Sequence, residues 1–184
     1  MSLDDLYGPM AEPGRETADV EKKYNPLSLD ELSDSTAPLL KQYMDSAVQG
    51  LKMPQVIHDS HVILWLISED EKILFALEEV IDGETGDFFA TRSRNDRLKI
   101  PADKTRIGHP SLLPIGQDKR ARIGGEIVYD PEGDCWVINN SSGRYGYRSH
   151  QTKLNLDAAA GLFAKHGINL DVEYIAPRVN KEEQ

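Results

Sequence analysis

The apolar positions of the chain change rhythm several times. Up to residue 26 they follow no period, and Gly8-Pro9, Pro13-Gly14 and Asn25-Pro26 punctuate a polar stretch. Such a segment cannot offset its own ordering entropy, so an unstructured acidic tail is expected over 1–26 unless a partner or the domain surface holds it. A helical segment is expected over 27–55. Ser28 suits a cap for Leu29-Asp30-Glu31, with Glu31 at the capping-box position. A second helix is expected from about Thr36, with Pro38 in its first turn. Leu39, Leu40, Tyr43, Met44 and Val48 then recur at spacings of three and four, and Gly50 supplies a stop.

From His61 the pattern becomes strand-like. His61–Ile67 is a continuous apolar run rich in β-branched and aromatic residues, Ser68–Glu71 is a polar turn, and Lys72–Leu77 returns. Together they predict a β-hairpin. Gly83–Gly86 reads as a loop, Phe88–Ala90 as a short strand or an aromatic plug, and Arg92–Lys104 as a loop or an edge strand. The stretch from Arg106 through Gly116 is irregular. Ala121–Tyr129 and Cys135–Asn139, joined by the turn Asp130-Pro131-Glu132-Gly133-Asp134, predict a second hairpin. A helix is expected over about 155–166, with Leu156, Ala159, Ala160 and Phe163 on its apolar face and Gly167 as its cap. A short strand over 172–175 follows, then a polar tail over 177–184. The expected fold class is α+β: a mostly antiparallel sheet of two hairpins and a short C-terminal strand, with one or two packed helices. Its domain spans 56–176.

Composition narrows the classes. The chain has 184 residues and one cysteine, Cys135, which excludes a disulfide framework and a cysteine-based zinc site. No apolar run reaches the ~20 residues that span a bilayer. The first residues lack the basic and apolar regions of a signal peptide. A soluble cytoplasmic protein is therefore expected, and export by a specialised system is compatible with that reading.

Charge is unevenly placed within a formal net of −10. Residues 1–46 hold ten acids and four bases, a net of −6, and residues 69–87 hold eight acids and one base, a net of −7. Residues 92–122 reverse the sign, with nine bases against three acids, a net of +6. The overall acidity argues against general nucleic-acid binding. The basic stretch suits a small anionic ligand or an acidic surface, unless acids elsewhere in the chain fold back onto it.

The candidate chemistry gathers around the second hairpin. Arg106, His109 and Ser111 precede it, Glu126 follows two glycines on it, and Ser142, Arg144 and Tyr145 come after it. A hairpin returns its flanking loops to one end of the sheet, so these residues form a candidate anionic-ligand site. His109 is the candidate functional histidine, as a donor or a general base. Gly124-Gly125 either forms a bulge or admits the backbone of a ligand or another segment. His58 and His61 lack the helical setting that would let them share a metal, and no metal site is expected. Cys135 lacks a helix N-terminus to lower its pKa. No phosphate loop or Gly-x-Ser-x-Gly elbow occurs.

Two resemblances accompany these residues. The strings His109-Pro110-Ser111-Leu112, Gly125-Glu126-Ile127 and Ser142-Gly143-Arg144-Tyr145 resemble a hairpin module of large bacterial toxin-like and effector-like proteins. That module carries His-Ser-Ser-Leu, Ala-Gly-Glu-Ile and Ser-Gly-His-Tyr, so the chain departs from it at Pro110 and Arg144. The resemblance covers about residues 60–165 and implies a place in bacterial conflict or virulence. Separately, the order His109, Tyr145, Glu173 resembles that of the His-Tyr-Glu ADP-ribosyltransferases. That resemblance implies NAD as cofactor for an ADP-ribosyltransferase or an NAD glycohydrolase, with His109 and Tyr145 holding the nicotinamide-ribose and Glu173 supporting charge at the reacting carbon. A third reading is an acidic immunity, inhibitor or chaperone-type protein that masks a basic partner with its tail and its 69–87 surface.

Overall fold

A computed structural model of the chain describes residues 1–51, 61–92 and 99–177. His58, Arg94, Arg97 and the tail from 178 onward lie outside the described residues. The class is α+β, with mostly antiparallel sheets.

The central sheet grows from the two apolar runs. β2 (Ile63–Ile67) and β3 (Ile73–Leu77) pair antiparallel, with Trp65 opposite Phe75. β7 (Gly124–Asp130) and β8 (Cys135–Asn139) do the same, with Ile127 opposite Ile138. β2 joins the pairs by running antiparallel to β7. β1 (Asp30–Glu31) lies against β3 at one edge, and β9 (Asp171–Glu173) lies parallel to β8 at the other. The order is β1-β3-β2-β7-β8-β9. β2 is buried along its whole length, which explains why it reads as an unbroken apolar run rather than as an alternation.

Alternation sends side chains to two cores. Ile63, Trp65, Ile67, Ile127, Tyr129, Trp136 and Ile138 face α3 (Ala37–Leu51) and α4 (Lys153–Lys165). Trp65 meets Phe163 of α4 edge-on, with ring centroids 6.4 Å apart. Val62, Leu64, Leu66 and Val128 face the other way. They pack on Leu112, Leu113, Ala121 and Tyr145 from the irregular segments. A separate three-stranded sheet, in the order β5-β4-β6, is made by β4 (Glu79–Asp82), β5 (Phe88–Thr91) and β6 (Lys104–Ile107).

Besides this second sheet, which the sequence did not lead one to expect, the structure departs from the sequence-based expectations at three further places. The first is residues 1–26, expected to lack structure. They form α1 (Leu3–Tyr7) and α2 (Asp19–Lys23) and lie along the domain. Tyr7 is buried, and its hydroxyl donates to Glu71 Oε1 at 2.5 Å. Asn155 Nδ2 donates to the Leu6 carbonyl at 3.0 Å. The domain surface thus supplies the contacts that offset the ordering entropy.

The second is Ser28, which caps no helix. Its hydroxyl donates to the buried Glu79 carboxylate at 2.6 Å, and the Leu77 amide donates to it. Residues 30 and 31 are drawn into β1 by pairing with Phe75 and Leu74. The third is Leu39, placed on the apolar stripe by spacing. It points to solvent, while Ala37, Leu40 and Met44 carry the buried face of α3.

Candidate functional site

The hairpin β7–β8 returns its flanking segments to one end of the sheet. A 3₁₀ turn over His109–Leu112 brings His109 beneath the sheet, where its ring meets Tyr145 edge-on at 6.5 Å between centroids. His109 Nε2 lies 2.8 Å from the Gly125 carbonyl oxygen. A carbonyl only accepts, so Nε2 carries the hydrogen. Burial pushes the imidazole down to about 4, and the positive charges of Arg144 and Arg106 push the same way, against the Gly125 hydrogen bond. The ring is therefore neutral near pH 7, and its one basic nitrogen is Nδ1.

Tyr145 is fully buried and donates to the Lys119 carbonyl at 2.7 Å; burial raises its phenol. Ser111 donates to the Gly108 carbonyl at 2.6 Å. Ser142 Oγ accepts from the Tyr145 amide at 3.1 Å and from the Arg144 amide at 3.3 Å. His109 and Tyr145 thus reach across to other segments, while Ser111 and Ser142 bond within their own turns. Gly125 makes the close approach possible, since a Cβ there would lie 1.9 Å from the Asn139 carbonyl oxygen. The glycine pair thus admits another segment of this same chain rather than forming a bulge.

The remaining candidates spread out. Arg106 is exposed, with Nε 3.5 Å from Glu78. Glu126 is half-buried on β7, opposite Asn139, and Glu173 lies exposed on edge strand β9, opposite Asn139 from the other side. Two strand spacings, about 10 Å, therefore part Glu173 from Glu126. His109 and Tyr145 come together, and Glu173 stands at the sheet edge. The residues present do not fit a nicotinamide-ribose, because the His109 Nε2–H and the Tyr145 hydroxyl are both committed to main-chain carbonyls in the interior.

Sequence reasoning overlooked Glu21. The residue sits on α2 and is only 4% exposed. Its Oε1 accepts from the Gly108 amide at 3.1 Å, and its Oε2 accepts from the Ala18 amide at 3.0 Å and pairs with Arg144 Nη2 at 3.1 Å. A carboxylate is thus held between a loop amide on one side of the hairpin and an arginine on the other. No local pattern announces it. The nearest sequence signal is an acidic residue in a tail of the same sign as the anion the basic stretch would attract.

The other acids behave alike. Asp4 pairs with Arg122, Glu12 with Arg120, Glu78 with Arg106, and Asp82 with Lys104. Four bases of the basic stretch are thus met by acids of the same chain, from both acidic regions. Lys119 is buried and donates to the Leu113 and Pro114 carbonyls; burial lowers its pKa. No group of three or more histidines, cysteines or carboxylates arranged for a metal occurs among the described residues. No described helix is long and apolar enough to cross a membrane.

Comparison with models of protein families, with curated proteins and with solved structures found no match to this chain.

Proposed function

We propose that the protein is a small binding module of a bacterial toxin- or effector-type system, and that it recognises an anionic group at the loops flanking β7–β8. One observation carries the anionic-group part of this reading: the buried Glu21 carboxylate, bound by the Gly108 amide and Arg144. A charged group is costly to bury unless its partners replace water well. The two loops supply those partners from opposite sides of the hairpin, so the position is built for a carboxylate or a group of similar charge. The neutral His109 beneath it acts as a brace that fixes Gly125 and the loop carrying Gly108. Arg144 is the ligand-facing cation.

Carboxylate rescue tests this reading. In Glu21→Ala the position is vacated, and N-acetylglutamate or inorganic phosphate is added as probe. A saturable shift of the Gly108 amide resonance in Glu21→Ala, lost in Glu21→Ala/Arg144→Gln, is the expected result. An unshifted Gly108 resonance in Glu21→Ala, with both probes at their solubility limits, overturns the reading.

A further inference from the structure

We infer that the ligand of this site is a peptide with an extended start that carries a small residue and a following helical turn that carries one carboxylate, and that residues 9–24 of the chain are its internal stand-in. The inference rests on the anionic-site reading and adds the rest of the ligand to it.

Residues 9–24 lie between two buried anchors, Tyr7 and Pro26, and within them only Glu21 is buried. They are held by main-chain bonds and by arginines. Ala11 and Ala121 exchange amide–carbonyl bonds of 3.1 and 3.2 Å in an antiparallel bridge. The Gly14 amide donates to the Arg144 carbonyl at 2.8 Å. Arg120 donates to the Met10 carbonyl at 3.2 Å, and Arg148 donates to the carbonyls of Ala11 and Glu12. Contacts of this kind read an extended backbone whatever its side chains, as in strand addition to a sheet edge.

Side-chain demands arise at three places, one of them Tyr24, whose ring lies against Gly86 and whose hydroxyl donates to the Glu84 carbonyl at 2.6 Å. A Cβ at Gly14 would stand 3.1 Å from the Gly143 carbonyl oxygen, so a small residue is needed there. The Glu21 position requires a carboxylate. A segment tied mainly by polar contacts, with the Tyr24 ring resting on Gly86 besides, can open between anchors that stay seated without unfolding the domain. A partner peptide of the same chemistry can then take its place.

The test uses the full chain with Gly14→Val and Glu21→Ala, which loosens the internal segment, and a fluorescein-labelled peptide of residues 9–24 in its natural sequence. Removing an internal competitor is expected to tighten peptide binding by about tenfold or more over the unaltered chain. A peptide carrying Glu21→Ala is expected to bind the loosened chain about tenfold more weakly, from loss of a charged hydrogen bond.

Equal binding of the natural peptide to the loosened and unaltered chains overturns the inference. So does absence of peptide binding alongside successful carboxylate rescue, which leaves the anionic site standing alone. Equal binding of the two peptides upholds the groove and overturns the carboxylate reading. A measurement on the unaltered protein needs no variant to fold: excess unlabelled peptide should speed hydrogen exchange at the protein's own Gly14 amide. Unchanged exchange there overturns the inference.

Discussion

His109 donates through Nε2 to the carbonyl oxygen of Gly125, 2.8 Å away, and so ties the loop before the hairpin to the hairpin's first strand. The imidazole is buried and its pKa is pushed down to about 4, below the ordinary 6.5. As pH falls, the unfolded chain takes up this proton before the folded one does. The neutral histidine's stabilising contribution is complete above pH 6.5 and is lost between 6.5 and about 4, on the order of 3 kcal/mol in all. Urea titrations at steps between pH 7 and pH 4 should show stability falling with pH. His109→Gln, which keeps a donor for Gly125, should flatten part of that slope. His150, also lowered by burial, supplies a remainder that the substitution leaves in place.

Glu21→Ala leaves the Gly108 and Ala18 amides without their acceptor and Arg144 without its anion. Arg144 keeps some solvent contact, which softens the loss, so a cost of about 2 kcal/mol is expected. Urea denaturation followed by tryptophan fluorescence measures it. An unchanged midpoint would remove Glu21 from the set of stabilising contacts.

Two glycines should respond in opposite directions. Gly125→Ala drives a Cβ into the Asn139 carbonyl, which is main chain and cannot yield, so a cost above about 4 kcal/mol or failure to fold is expected. Gly161 lies within α4 with open space around it, and Gly161→Ala should add about 0.5–1 kcal/mol through helix propensity. Thermal melting of the two variants beside the parent decides both.

Phe163→Ala removes the ring that meets Trp65 under the sheet. Both residues are fully buried, so a loss of about 3–5 kcal/mol is expected, mostly from the cavity left behind. Calorimetry gives the loss, and a weakened near-ultraviolet circular dichroism signal would report that Trp65 has lost its fixed surroundings.

Parts of the fold held by nearest neighbours were legible in the chain. The apolar run at 61–67, the Asp-Pro-Glu-Gly-Asp turn and the stripe Leu156, Ala159, Phe163 each act over a few residues, and each marks an element. The meeting of His109 and Tyr145 followed from hairpin geometry. What escaped was polar and distant. Glu79 accepts from Leu27, Ser28 and the Ser28 hydroxyl within the interior, yet in sequence it is one acid in an acidic stretch. Glu21 is one acid in a tail without apolar period. The burial of a charge depends on donors that arrive from elsewhere in the chain, and no local window contains them. The same limit applied to the basic stretch, where Arg106, Arg120 and Arg122 proved to be matched by internal acids and carbonyls.

The partners of the N-terminal segment also set an order of events in synthesis. Glu21 waits for Gly108 and then Arg144, Ala11 waits for Ala121, and Leu6 waits for Asn155. At translation speeds of about 5–20 residues per second, the surface that binds residues 4–24 is completed several seconds after those residues are made. Residues 4–24 are thus made well before the segments that seat them.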